Sequence, residues 1–164
     1  MKNRKIKILF IMLVVGVMVV FGTSYSDYNN SLQGQFSIKY DSSWKREFGS
    51  EFKLKHKKTG SILNIQSKTI EDNYSDVKLD DFVDEVVYSI EQQNKEYSLI
   101  NMKKNDDSKY ESFSYLYEKG MEQVLVNIYK KNDKLVIAYY QADSEIYDIV
   151  LDSVDTILNS LKIK

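Results

Sequence analysis

Gln123-Val-Leu-Val-Asn-Ile-Tyr-Lys-Lys131 and Lys134-Leu-Val-Ile-Ala-Tyr-Tyr-Gln-Ala142, joined by Asn132-Asp133 and followed by a helical stretch to Leu161, decide the fold of this chain. Both segments are rich in β-branched and aromatic residues, and Asn-Asp favours a turn, so they read as an antiparallel hairpin. Alternation puts Val124, Val126 and Ile128 on one face and Leu125 and Tyr129 on the other. The return strand sends Leu135, Ile137 and Tyr139 one way and Val136, Ala138 and Tyr140 the other. A strand that is apolar on both sides needs cover on both sides, which predicts a central place in its sheet. The closing helix starts near Asp143 or Ser144. Its apolar side is read as Ile146, Ile149, Val150, Val154, Ile157 and Leu161, and its wet side as Glu145, Asp148, Asp152, Asp155 and Asn159.

Working towards the N-terminus, Glu111 to Glu118 and Tyr97 to Lys103 read as strands separated by the turn Asn105-Asp-Asp-Ser108. A helix capped by Asp80 places Leu79, Phe82, Val83, Val86, Val87 and Ile90 along one side and ends near Lys95. Glu51 to Lys57 alternates, with Phe52, Leu54 and His56 opposite Lys53, Lys55 and Lys57. It turns at Lys58-Thr-Gly60 into the partner strand Ser61 to Thr69. Phe36-Ser-Ile-Lys-Tyr40 alternates too, with Phe36, Ile38 and Tyr40 facing inward, and Asp41-Ser-Ser breaks it before Trp44. Runs of neighbouring strands interrupted by two helices predict an α+β domain, an antiparallel β-sheet flanked by helices.

The first 24 residues differ in kind from the rest. Lys2, Arg4, Lys5 and Lys7 precede an unbroken apolar or small run, Ile8 to Gly22, which is shorter than the ~20 residues of a usual spanning helix. This is the pattern of a secretory signal, with cleavage after Ser24 preferred and an uncleaved membrane anchor as the alternative. In either case the positive charges stay in the cytoplasm and the body is exported, to the extracellular space or the outer face of the cytoplasmic membrane. The expected organisation is therefore a signal peptide or anchor at 1–24, a polar linker at 25–35 and one domain at 36–164.

Composition narrows the function. There is no Cys and therefore no disulfide, thiolate metal site or cysteine nucleophile. Arg4 and Arg46 are the two arginines among 23 basic residues, so bidentate phosphate recognition is not widespread. Without residues 1–24 the body has 19 basic and 24 acidic residues, a net charge of −5, which argues against nucleic-acid binding.

Phe36-Ser-Ile-Lys-Tyr-Asp-Ser-Ser-Trp44 resembles the opening of PsbP-like domains, an aromatic-rich strand running through a short turn to a Trp. Ala138-Tyr-Tyr-Gln-Ala-Asp143, Tyr147 and the ending Ile157-Leu-Asn-Ser-Leu-Lys-Ile163 resemble the close of the same family. Asp41 stands where a Pro is common in the first turn. The resemblance covers roughly 34–164. It implies an antiparallel sheet between helical layers, a PsbP-like α/β/α sandwich, and membership among mostly non-enzymatic proteins. These include an extrinsic subunit of photosystem II, a Ran-binding import factor and bacterial exported proteins. It supplies no binding residue for this chain, and fold alone does not fix function.

His56, the one histidine, sits in register with Phe52 and Leu54, and no nucleophile-elbow or His-Glu-x-x-His pattern accompanies it, which favours a structural role. Asp80, Asp81, Asp84 and Glu85 offer oxygens for a hard cation, but lack the spacing of a calcium loop and suit a helix N-terminus. The stripe Glu145, Asp148, Asp152 and Asp155 reads as the wet face of a surface helix. Tyr110, Phe113, Tyr115, Tyr117, Tyr129, Tyr139 and Tyr140 are numerous enough to line a groove, but cross-strand core pairs explain most of them. No catalytic residue, metal or cofactor is assigned. The candidate partner-binding residues are Trp44, Lys53, Lys55 and Lys57, with Lys58 beside them, although Trp44 suits a core anchor better than a ligand platform and the lysines suit an edge-protecting row better than a binding face. The expectation is an exported binding or accessory module for a protein or cell-envelope component. A tethered accessory subunit and a hydrolase using paired carboxylates from Asp80–Glu85 are the alternatives.

Overall fold

The computed structural model describes residues 35–49, 52–70, 78–80, 88, 92, 96–105 and 109–164. Their elements run β1 (Phe36–Ser37), β2 (Trp44–Glu47), β3 (Phe52–His56), β4 (Ile62–Thr69), β5 (Ser98–Asn105) and β6 (Glu111–Lys119). Then follow β7 (Glu122–Lys131), β8 (Lys134–Asp143), α1 (Ser144–Asn159) and β9 (Lys162–Ile163). Seven strands form one sheet in the order β2-β3-β4-β8-β7-β6-β5. Every pairing among the described residues is antiparallel, and β1 and β9 form a separate two-stranded ribbon.

The hairpin β7–β8 is central, as its two-sided apolar pattern requires. β8 is fourth of seven, flanked by β4 and β7, and Leu135 to Tyr140 is buried without interruption. Its turn places Asn132 at φ 53, a left-handed conformation that Asn tolerates better than most residues. On one face Val136, Ala138, Tyr140 and Ala142 pack with Leu54, Leu63 and Ile65 against Tyr147, Val150, Val154, Ile157 and Leu158 of α1. The Tyr140 hydroxyl donates to the Tyr147 carbonyl at 2.9 Å, satisfying a buried polar group within that layer. Burial pushes the Tyr140 hydroxyl up to about 12. On the opposite face Val124, Val126, Ile128, Leu135, Ile137 and Tyr139 are also buried, together with the stacked row Phe113, Tyr115 and Tyr117. Burying a Val, Leu, Ile or Phe side chain contributes about 1.5–3 kcal/mol, so these two layers dominate the stability.

Several expectations shift in detail. β2 has one apolar residue in Trp-Lys-Arg-Glu and therefore no readable period, and β9 has only two residues; neither is anticipated by pattern. The first strand is Phe36–Ser37 rather than 36–40, because its partner β9 is that short; Tyr40 is exposed. Ile149, expected on the buried side of the closing helix, is 73% exposed, while Tyr147 and Leu158 point inward and rotate the apolar stripe. The helix ends at Ser160, whose hydroxyl accepts the Lys39 N–H at 2.8 Å and donates to the Ile157 carbonyl at 2.6 Å.

The antiparallel sheet with α1 on one face is the described architecture. Asp80, Tyr88 and Gln92 have helical backbone, and the remainder of the helix expected at 80–95 lies outside the described residues. The signal or anchor expected at 1–24 and nearly all of the linker lie outside them as well. No helix among the described residues is long and apolar enough to cross a membrane.

Candidate functional site

The candidate residues converge on the edge hairpin β2–β3. Trp44 opens β2 and is 2% exposed. Its indole N–H donates to the Ser153 hydroxyl of α1 at 2.9 Å, and its ring meets His56 edge-on at 5.1 Å. It is a peg fastening the edge strand to the helix, and its ring is not presented on the surface.

Register puts Lys45 directly opposite Lys55 and Glu47 directly opposite Lys53, all on the sheet face away from α1. Lys53 pairs with Glu47 at 3.1 Å. Lys45, Lys55, Lys57 and Lys58 have no ion-pair partner among the described residues. Like charges facing each other across an antiparallel pair destabilise it by about 0.2–1 kcal/mol. Residues 39–58 carry seven Lys and Arg against three Asp and Glu in a chain of net charge −1. A concentrated positive field of this kind favours anionic partners and accelerates their approach.

His56 is held structurally. Its Nδ1 lies 2.8 Å from the Thr59 hydroxyl, and its backbone closes the β3–β4 turn by accepting the Gly60 N–H at 2.9 Å. Gly60, at φ 78, supplies the left-handed conformation which that turn needs. Asp41, in the preceding turn, hydrogen-bonds the Ser43 hydroxyl and the Ser43 N–H. These bonds, helped by the nearby charges of His56 and Lys57, hold its carboxyl below the usual range.

The acidic candidates separate. Asp80 takes both of its oxygens to Lys104 Nζ, at 2.8 and 2.7 Å, and Asp81, Asp84 and Glu85 lie outside the described residues. Glu145, Asp148, Asp152 and Asp155 stand on the exposed side of α1. Asp155 is the exception among them in its surroundings. Partial burial and then the Asp152 charge push its carboxyl up, and its charge in turn adds to the burial that raises Tyr129. Among the described residues no cluster of three His, Cys, Asp or Glu side chains is arranged to hold a metal.

Most of the aromatic supply is core. Phe113, Tyr115, Tyr117, Tyr139 and Tyr140 are buried, and Tyr110 uses its hydroxyl to accept the Ile163 N–H at 3.0 Å. Two features escape the sequence reading. Glu122 accepts from the Tyr97 hydroxyl at 3.0 Å and from Gln141 Nε2 at 2.8 Å, and burial, followed by this carboxylate, pushes Tyr97 up to about 12. Phe48 is 98% exposed in the connection between β2 and β3. Its one sequence signal is a large apolar residue set in a polar turn between basic strands.

No family model matches the chain, and no curated protein matches it by sequence. Solved structures do. The fold is similar to cyanobacterial PsbP from Synechocystis sp. PCC 6803 (TM-score 0.59, 12% identity, covering 85% of this chain and 98% of that one). It is similar to LpqN of Mycobacterium tuberculosis, described as involved in cell envelope biogenesis (TM-score 0.57, 7% identity, covering 79% and 83%). It is also similar to the Ran-binding protein Mog1p of Saccharomyces cerevisiae (TM-score 0.55, 6% identity, covering 86% and 96%). The chain has the PsbP-like fold. At such identities the likeness speaks to the fold and leaves function to the residues.

Proposed function

We propose that this chain is an exported, non-enzymatic accessory module whose β2–β3 hairpin engages an anionic protein or cell-envelope partner. The observation that carries the reading is the face bearing Lys45, Lys55, Lys57 and Lys58 without ion-pair partners among the described residues, with two of them directly opposed in the ladder. Lysines blunt a sheet edge, but two of them directly opposed on neighbouring strands also weaken the pair they guard. Export rests on the basic and apolar pattern of 1–24. The similarity to LpqN, whose description concerns the cell envelope, agrees with that address. His56 is engaged by Thr59, and Asp80, one of the four acidic residues of the alternative hydrolytic reading, is engaged by Lys104.

The test is crosslinking capture from intact producing cells, comparing the native chain with a Lys45→Glu, Lys55→Glu, Lys57→Glu variant. The reading expects a defined product that disappears in the variant and weakens with salt. An identical product from both chains overturns it. Mass spectrometry of the mature N-terminus separates cleavage after Ser24 from retention of the segment as an anchor.

A further inference from the structure

The β3–β4 hairpin is cationic without interruption. Residues 52–70 hold five Lys and no Asp or Glu, in a chain with 23 basic and 24 acidic residues. The described acids that precede the hairpin are already engaged, Asp41 by Ser43 and Glu47 by Lys53. Lys57 prolongs the β2–β3 ladder, its N–H donating to the Ser43 carbonyl at 2.9 Å, so Lys53, Lys55 and Lys57 follow one another along a single sheet face with Lys45 opposite Lys55. The side chain of Lys55 runs towards the turn that follows: its Cε lies 3.8 Å from where a Cβ on Gly60 would stand. Like charges are thus brought together on an exposed surface, at a cost that a bound polyanion removes.

The surroundings of these lysines decide between anionic partners. No large apolar side chain of β2, β3 or β4 is exposed among the described residues. A protein interface is centred on aromatic, Met or Arg anchors and is depleted in Lys, and a lipid surface takes up apolar side chains beside the basic ones. Arg46, the one arginine nearby, stands on the other face with its guanidinium over the Phe52 ring at 5.1 Å. A single-stranded nucleic acid needs aromatic platforms for its bases, which this face does not present. What remains is a row of point charges repeating every second residue, at about 7 Å. The same number of covalent bonds separates alternate Cα atoms of a strand as separates successive phosphorus atoms in a chain of phosphodiesters linked through three-carbon units. The two charge repeats therefore match.

We infer that the lysine face takes a linear polyphosphodiester of the cell envelope, linked through three-carbon units, with Lys45, Lys55, Lys57 and Lys58 each neutralising one phosphate. The inference rests on the proposed reading of that face and names the chemistry of its partner.

The test uses the full chain in a neutral detergent and the fluorescence anisotropy of two end-labelled probes of equal charge number, lipid-free poly(glycerol phosphate) and polyglutamate. The phosphodiester polymer should bind several-fold more tightly. Its log K should fall against log salt with a slope of about −3, since each charge neutralised on a single-stranded polyanion contributes about −0.7. Lys45→Gln, Lys55→Gln, Lys57→Gln and Lys58→Gln should each bring the slope back by about 0.7, and Lys55→Arg should keep it. Lys103→Gln, at an exposed lysine of β5, should leave it unchanged. Equal or tighter binding of polyglutamate overturns the inference in favour of an acidic protein. Equally tight binding to micelles doped with phosphatidylglycerol overturns it in favour of a lipid surface, and a slope indifferent to all four Lys→Gln changes overturns it by placing the polymer elsewhere. If polyglutamate is preferred and its binding is lost on Lys→Gln, the phosphodiester falls and the anionic-partner reading stands. If the substitutions move neither probe and also leave the crosslinked product in cells unchanged, both fall.

Discussion

Replacing Lys45 with Glu should make the protein more stable while removing its proposed binding. Lys45 and Lys55 are directly opposed in the β2–β3 register, at the edge of the sheet and exposed to solvent. Unit charges about 5–6 Å apart in water interact by about 0.7–0.8 kcal/mol, and a Debye length near 8 Å at physiological salt roughly halves that. Turning repulsion into attraction therefore gains about 0.5–1 kcal/mol at physiological salt and about twice that at low ionic strength. Proximity to Glu47 on the same strand face trims the gain without reversing it, because Lys53 already compensates that carboxylate. Urea unfolding in low and high salt provides the assay, with Lys58→Glu as the control, since Lys58 lies in the β3–β4 turn and has no cross-strand partner. The expected result is a higher midpoint for Lys45→Glu at unchanged slope, shrinking as salt rises, and no comparable change for Lys58→Glu. A lower midpoint at low salt, or a gain indifferent to salt, would refute the reasoning. A substitution that strengthens the fold and weakens capture identifies a site kept for function at some cost in stability.

Trp44→Ala should cost about 3–5 kcal/mol, because a nearly buried indole leaves a cavity between β2 and α1 and the Ser153 hydroxyl loses its donor; chemical denaturation measures this. Tyr140→Phe removes only the hydroxyl that serves the Tyr147 carbonyl and should cost about 1–1.5 kcal/mol in the same assay. Asp155 has a folded-state pKa raised above its unfolded value, so the folded form holds its proton more tightly. Its contribution is fully present below the unfolded pKa and is lost as pH rises through the raised value. Asp155→Asn should therefore gain stability relative to the native chain as the pH moves from below about 4 to neutral, as seen in the pH dependence of the melting temperature. Asp41 behaves oppositely. With its folded pKa lowered, its contribution is present above the unfolded pKa and is lost as pH falls through the folded one, so Asp41→Ala should flatten the acid limb of that profile.

The legible parts of the fold were those with long, strong periodicity. Ten-residue strands apolar on both faces announced β7 and β8 as the centre, and Asn132-Asp133 announced their turn. β2 and β9 were illegible for a physical reason. A four-residue edge strand and a two-residue ribbon strand draw their order from partners distant in sequence, not from their own pattern. The stripe of α1 was misread at Ile149 because hydrophobicity alone ranked it with Val150. Tyr147, whose ring packs on Tyr140 at 5.1 Å, claimed the inward direction instead. At the candidate site, the lysine alternation was visible, but the opposition of Lys45 and Lys55 was not, since it requires knowing that β2 is a strand. Phe48 was invisible for a related reason: composition records a phenylalanine, and only the fold shows that it is 98% exposed.

The most direct test of the account places a photo-crosslinking amino acid at Lys55, on the lysine face, and separately at Ile149, on the exposed side of α1, in the full chain within producing cells. A discrete adduct at 55 that is lost when Lys45 and Lys57 are reversed in charge, with none at 149, is the predicted result. Adducts at 149 alone, or equal adducts at both positions, would contradict it.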